Sequence, residues 1–268
     1  MTTFQRTVKY LAIALAAMIV LGIVAGAVSV IGSIVDLFTS NDTSNSQKAE
    51  YSFTADEISS VDIELGDAEL AVKSGSEPKV EVFGKNISVK ASKGELRIRQ
   101  TGLIGFGRRS DTTIILTLPE KELSEFNIET GAGKLTLENV SARELDISLG
   151  AGDTTVSGVT VTQSANIEGG AGKLNIANST IRELSFEMGM GDVSINATLL
   201  GENQISCGIG DFDLKLMGGK DAYTLDIDKG IGKVSVDSSS VSGSSNIGSG
   251  ANKVDLECGI GKVNVSFE

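Results

Sequence analysis

Apolar and polar residues alternate along most of the chain, and beyond Phe126 the same glycine-bearing tetrapeptide interrupts the alternation again and again. It reads Gly131-Ala132-Gly133-Lys134, Gly150-Ala151-Gly152-Asp153, Gly170-Ala171-Gly172-Lys173, Gly189-Met190-Gly191-Asp192, Gly208-Ile209-Gly210-Asp211, Gly230-Ile231-Gly232-Lys233 and Gly259-Ile260-Gly261-Lys262. The first five copies begin 19 or 20 residues apart, the next steps are 22 and 29, and Gly250-Ala251-Asn252-Lys253 is a decayed copy inside the last. A period near 20 marks a stacked-repeat architecture.

Each copy is flanked by two strand-like arms. Before the glycines stand apolar residues at every second position, such as Leu145, Ile147 and Leu149, or Leu184, Phe186 and Met188. After them come pairs such as Leu135/Leu137, Leu174/Ile176 and Val263/Val265, alternating with Thr, Asn or Ser. Each arm therefore predicts a strand with one buried face. Between the arms the inward parity slips by one residue, which would turn every later side chain over unless a corner absorbed it. Glycine supplies that corner, because it adopts positive φ or bulge geometry at little cost. The middle residue is Ala, Met or Ile in every copy, so the inward parity is expected to run up to it.

A second corner follows each unit, with turn-forming residues such as Asn139-Val140-Ser141, Ser157-Gly158 and Asn178-Ser179. The prediction is an all-β, β-helix-like solenoid: a single stack of rungs of about 20 residues, each too small to stand alone and stabilised by its neighbours. The residue after each second glycine reads Lys134, Asp153, Lys173, Asp192, Asp211, Lys233 along the chain, which predicts a ladder of ion pairs.

The repeat is expected over 123–268. Residues 51–122 alternate without the regular period, as in Val61, Ile63, Leu65 and Leu70, Val72 around Gly66-Asp67-Ala68, and are expected to form an N-terminal cap of hairpin-connected strands. Within them Gly102 to Ser110 joins flexible glycines to Phe106, Arg108 and Arg109, a candidate contact for an anionic partner such as lipid headgroups or wall polymer. A mobile loop tip is the plainer account of the same residues.

Ahead of the body, Tyr10 to Val35 carries no charged residue, long enough as a helix to cross a bilayer. We expect a membrane helix over 10–38, acting as a signal anchor after a cytoplasmic tail at 1–9 and before a polar stalk at 39–50. Arg6 and Lys9 precede it and Asp36 and Asp42 follow, which puts the N-terminus in the cytoplasm and the body outside the cell membrane. Ala25-Gly26-Ala27 leaves open a cleaved signal peptide, which exports the body equally.

Charge narrows the partners. The net charge is -12, and since residues 1–50 balance, the excess acid lies in the body, which disfavours nucleic acid. The chain has no histidine, the commonest general base and transition-metal ligand, and no catalytic set, metal or cofactor is expected. Calcium-binding β-rolls use a nine-residue repeat with Asp in each turn, whereas half of these turns carry Lys. Cys207 and Cys258 share the inward position before a corner, on rungs that chain order makes non-adjacent, so two separate buried thiols are expected.

The strand and turn Asp62-Ile63-Glu64-Leu65-Gly66-Asp67, the strand end Leu116-Thr117-Leu118-Pro119, the glycine corners and the closing Gly259-Ile260-Gly261-Lys262-Val263-Asn264-Val265 resemble the bacterial envelope proteins with adhesin-like domains of unknown function, the LiaG-like proteins among them. The resemblance spans about 51–268. It implies an extracytoplasmic β-solenoid, often behind one membrane helix, without catalytic residues to carry over. The function expected is a non-catalytic, membrane-anchored surface protein whose partners are the bilayer and an envelope polymer or protein. A carbohydrate-active β-helix enzyme and a scaffold self-assembling through an uncovered solenoid end are the alternatives.

Overall fold

Strand pairing follows the alternation. The computed structural model describes residues 48–101, 112–241 and 245–268. The expected membrane helix, its cytoplasmic tail, the stalk up to residue 47 and the loop with Phe106, Arg108 and Arg109 lie outside these residues. Among the described residues no helix is long and apolar enough to cross a membrane.

The first part of the body contains β1 (Lys48–Ser52), β2 (Ser60–Ser74), β3 (Lys79–Phe83), β4 (Ile87–Ser92), β5 (Glu95–Gln100) and β6 (Thr113–Leu118). The repeats supply β7 (Leu123–Glu138), β8 (Ser141–Ser157), β9 (Thr160–Arg182), β10 (Leu184–Leu200), β11 (Glu202–Ile209) and β12 (Phe212–Leu216). Then come β13 (Tyr223–Val236), β14 (Ser239–Val241), β15 (Ser245–Gly248) and β16 (Asn252–Phe267). Lys48 to Glu50, expected in the stalk, are thus already strand.

All sixteen strands belong to one sheet that winds as a solenoid. From β2 through β10 each long strand pairs in parallel with the next rung. Parallel register stacks like on like. Ile63, Ile128, Ile147, Ile167, Phe186, Ile205, Leu256 and Ile227 form one inward column, at most 2% exposed. Val72, Leu137, Val156, Ile176, Ile195, Leu214, Val265 and Val236 form another on the second arm. A short third side closes the rung, as where Ser179 to Arg182 pair with Ala197 to Leu200.

Four expectations are corrected. The stack does not begin at residue 123, because β2 pairs along its length with β7 and Gly66-Asp67-Ala68-Glu69 lies beside the corner Gly131 to Lys134. Ala68 replaces the second glycine there without a positive φ, which hid this rung from a glycine-based repeat. On its outer side β5 and β6 pair in parallel with the two arms of β2 and make a further rung. Only β4, β3 and β1, antiparallel to β5, β6 and β3, form the hairpin cap.

The second correction concerns the far end. β16 does not follow β13 in space but lies between β11/β12 and β13, parallel to all three. Side-chain amides fix it there. Asn203, 2% exposed, accepts from the Leu184 N–H and donates to the carbonyls of Gly201 and Lys253, while Asn252 accepts from the Gly201 N–H and donates to the Ala222 carbonyl. The last rung is therefore β13, and antiparallel β14 and β15 cover its arms. Both ends carry hairpin strands, so the C-terminal strand is not an uncovered end.

Third, insertion of β16 sets Cys207 and Cys258 directly opposite each other, half-buried and unoxidised, where separate thiols were expected. Fourth, the row of corner charges does not close into a ladder. Among the described residues of that row only Asp211 and Lys262 form an ion pair, at 3.7 Å. Exposed lysines gain little from pairing against the entropy of a fixed rotamer. Closer ion pairs occur elsewhere, as where Arg97 Nε meets Asp62 at 2.9 Å and Arg99 meets Glu64 at 2.7 Å.

Candidate contact surface

The corners are also where the molecule presents its least expected surface. At Gly172 φ is +141°, and a Cβ there would stand 1.9 Å from the carbonyl oxygen of Gly152 on the preceding rung. A Cβ on Gly150 would stand 2.2 Å from the Gly131 carbonyl oxygen. Two bare positions let successive corners nest backbone against backbone. The residue between them is directed outward, contrary to the inward parity expected for it.

Those middle residues form a continuous row. Register places Ala132, Ala151, Ala171, Met190, Ile209, Ile260 and Ile231 side by side in that order. The last four are large and unsheltered, with exposures of 53%, 51%, 49% and 73%. Only Tyr51, at 37%, joins them among the exposed large apolar side chains of the described residues. Neighbouring rungs lie about 4.8 Å apart, so the four make a ridge about 14 Å long. A contiguous apolar row, unlike scattered single residues, marks a surface that meets something other than water.

Charge borders the ridge. Beside it, after each second glycine, run Asp192, Asp211, Lys262 and Lys233, all exposed. On the other arm the outward positions are acidic, with Asp226 beside Asp255 and Asp228 beside Glu257. Partial burial, then the charges of Asp226 and Asp228, hold the Asp255 carboxyl above its usual range. Asp226 and Asp255 are both exposed. Beneath the ridge the Cys207 thiol is pushed up by its hydrogen bond with Cys258 and by burial, and that same bond lowers Cys258.

The other candidates are less substantial. A depression at the capped N-terminal end, about 360 Å³, is lined by residues that include Glu50, Ser52, Phe53, Thr54, Glu77 and Lys79. Among the described residues no group of three or more His, Cys, Asp or Glu side chains could hold a metal ion. The corner glycines stack backbone against backbone from rung to rung, whereas the ridge they expose was missed. Its signal was available in the uniformly apolar middle residue, but its direction was not.

Three solved structures resemble the chain. A protein provisionally named a cell adhesion protein, from Clostridium sporogenes, is 16% identical over 84% of this chain and 100% of its own, with a TM-score of 0.36. One provisionally named an adhesin, from Bacteroides fragilis, is 12% identical over 82% and 97%, at 0.29. Another of that name, from Parabacteroides distasonis, is 14% identical over 82% and 98%, at 0.31. No curated protein matches. The Toastrack DUF4097 family model matches residues 99–257, from the end of β5 into β16, and the chain belongs to that family of β-solenoid-like domains of unknown function.

Proposed function

We propose that the protein is a membrane-anchored, extracytoplasmic and non-catalytic contact protein. Residues 10–38 hold it in the bilayer, and the solenoid offers the row Met190, Ile209, Ile260 and Ile231 to another surface. The exposed row carries this reading, since a solenoid that merely filled space would gain solubility from polar residues at those corners. The uncharged stretch from Tyr10 to Val35 and the adhesin-like names of the structural relatives support the setting.

Two measurements on the full-length chain test it. On intact cells a membrane-impermeant amine label should reach lysines of the body but not Lys9. Cell-envelope fractions should capture the detergent-solubilised chain and lose it on Ile209→Asp or Ile231→Asp substitution. Labelling confined to broken cells removes the setting, and capture indifferent to both substitutions removes the ridge as its contact surface.

A further inference from the structure

We propose that the ridge joins two copies of this chain, meeting corner to corner with their solenoid axes antiparallel. The inference rests on the reading of the ridge as a contact surface and names its partner.

Size and charge change together along the corner row. Where the middle residue is Ala132, Ala151 or Ala171, the bordering charges alternate as Lys134, Asp153, Lys173. Where it becomes Met190, Ile209, Ile260 and Ile231, they fall into blocks, with Asp192 beside Asp211 and Lys262 beside Lys233. Like charges side by side on neighbouring strands disfavour the isolated chain, and the Asp211–Lys262 contact is the one ion pair that offsets them among the described residues. Read along the ridge the sequence is minus, minus, plus, plus.

That order is self-complementary under a two-fold axis. An axis passing between the Ile209 and Ile260 rungs, perpendicular to the stack and parallel to the joined surfaces, keeps both charge rows on one side and reverses their direction. Asp192 then faces the partner's Lys233, and Asp211 faces the partner's Lys262. Met190 meets the partner's Ile231, and Ile209 the partner's Ile260. An isologous interface requires this self-match of one patch, and few charge orders satisfy it. An alternating row would match again when shifted by two rungs, whereas in the blocked order that shift sets like charge against like.

The ridge is narrow beside the roughly 800 Å² per partner of a stable interface, so the pair is weak and reversible. It is also oriented. Lys48 lies at the β1 end of the stack, away from β13, so the two-fold sets the two Lys48 residues at opposite ends of the pair.

Sedimentation equilibrium of the full chain in detergent micelles tests this, with circular dichroism to verify that each variant is folded. Wild type should show a monomer–dimer equilibrium, and Ile231→Asp should weaken it about tenfold or more, as expected when a carboxylate replaces an apolar side chain that the pairing buries. Asp211→Lys alone and Lys262→Asp alone should each weaken it, whereas the double variant, or an equimolar mixture of the two single variants, should recover it. A monomer at every concentration, a dimer indifferent to Ile231→Asp, or charge reversals that no complement rescues would overturn the proposal. The same variants in the envelope-capture measurement separate the two failures. If the substitutions abolish capture by a chain that never self-associates, the contact surface stands with a different partner, and capture and sedimentation both unchanged remove both readings.

Discussion

Cys207 and Cys258 are 51 residues apart in sequence and directly opposite on adjacent parallel strands, with their thiols hydrogen-bonded to each other. One proton is in effect shared: the bond stabilises a thiolate on Cys258, and with Cys258 charged Cys207 resists ionising. Alkylation followed against pH by mass spectrometry should therefore add one equivalent below the usual thiol range near pH 8.5, with the second much slower. Cys207→Ala, which removes the donor, should move the reactivity of Cys258 back up towards the ordinary range. Two equivalents entering together at an ordinary thiol pH would contradict the shared proton.

Corner glycines should be more costly to replace than positive φ alone requires. Gly191→Ala places a Cβ 1.8 Å from the Gly172 carbonyl oxygen, so adjacent rungs must separate. Gly218 is the control, since its φ is +106° but nothing lies within 4 Å of a Cβ. Denaturant unfolding should show Gly218→Ala losing about 1 to 2 kcal/mol and Gly191→Ala clearly more.

Tyr223, 1% exposed, donates its hydroxyl to the Met217 carbonyl at 2.6 Å and accepts from the Leu199 N–H at 3.3 Å. It thereby ties the last rung to β10 and to the turn after β12. Tyr223→Phe leaves both backbone groups unpaired, at a cost of about 1 to 3 kcal/mol. A melting temperature equal to wild type would show that water replaces the hydroxyl.

Asp255 carries a pH dependence. Its folded pKa lies above its unfolded value, so its contribution to stability is fully present below the unfolded pKa and is lost as pH rises through the folded one. Asp255→Asn should thus stabilise at neutral pH, by less than about 1 kcal/mol for an exposed charge. The gain should vanish on acidification below about pH 4, near the unfolded carboxyl value. Thermal melts at both pH values check the sign.

At the other end of the charge row, Lys173→Gln should change stability by less than about 0.5 kcal/mol, because Lys173 forms no ion pair with Asp153 or Asp192 among the described residues. A larger loss would restore the ladder that the sequence suggested.

The arms were legible because period-2 alternation and one-sided burial are the same fact: Ile147 and Ile167 are inward for the reason that Ser148 and Glu168 are not. Corner positions were legible because glycine marks them. Stacking order was not, since a period records which segments are equivalent and not which are neighbours. The longer step before Gly259 was the available sign that β16 travels elsewhere, and the matched positions of Cys207 and Cys258 were a second. The ridge failed for another reason. Met190 is two residues beyond inward Met188 and shares its parity, but the chain turns between them, and alternation gives direction only along a straight strand.

Threading of β16 between β11/β12 and β13 also sets an order of assembly. Rungs from β2 to β12 can zip onto one another as the chain emerges, each finding its neighbour already made. β13 cannot, because the surface it must dock on is β16, which is synthesised after it. The final two rungs therefore close together, and β13 waits with its columns uncovered until they do. A chain stopped before Asn252 would lose an inner layer and leave β13 with no parallel neighbour, so β13 is held in the stack only once β16 has been delivered.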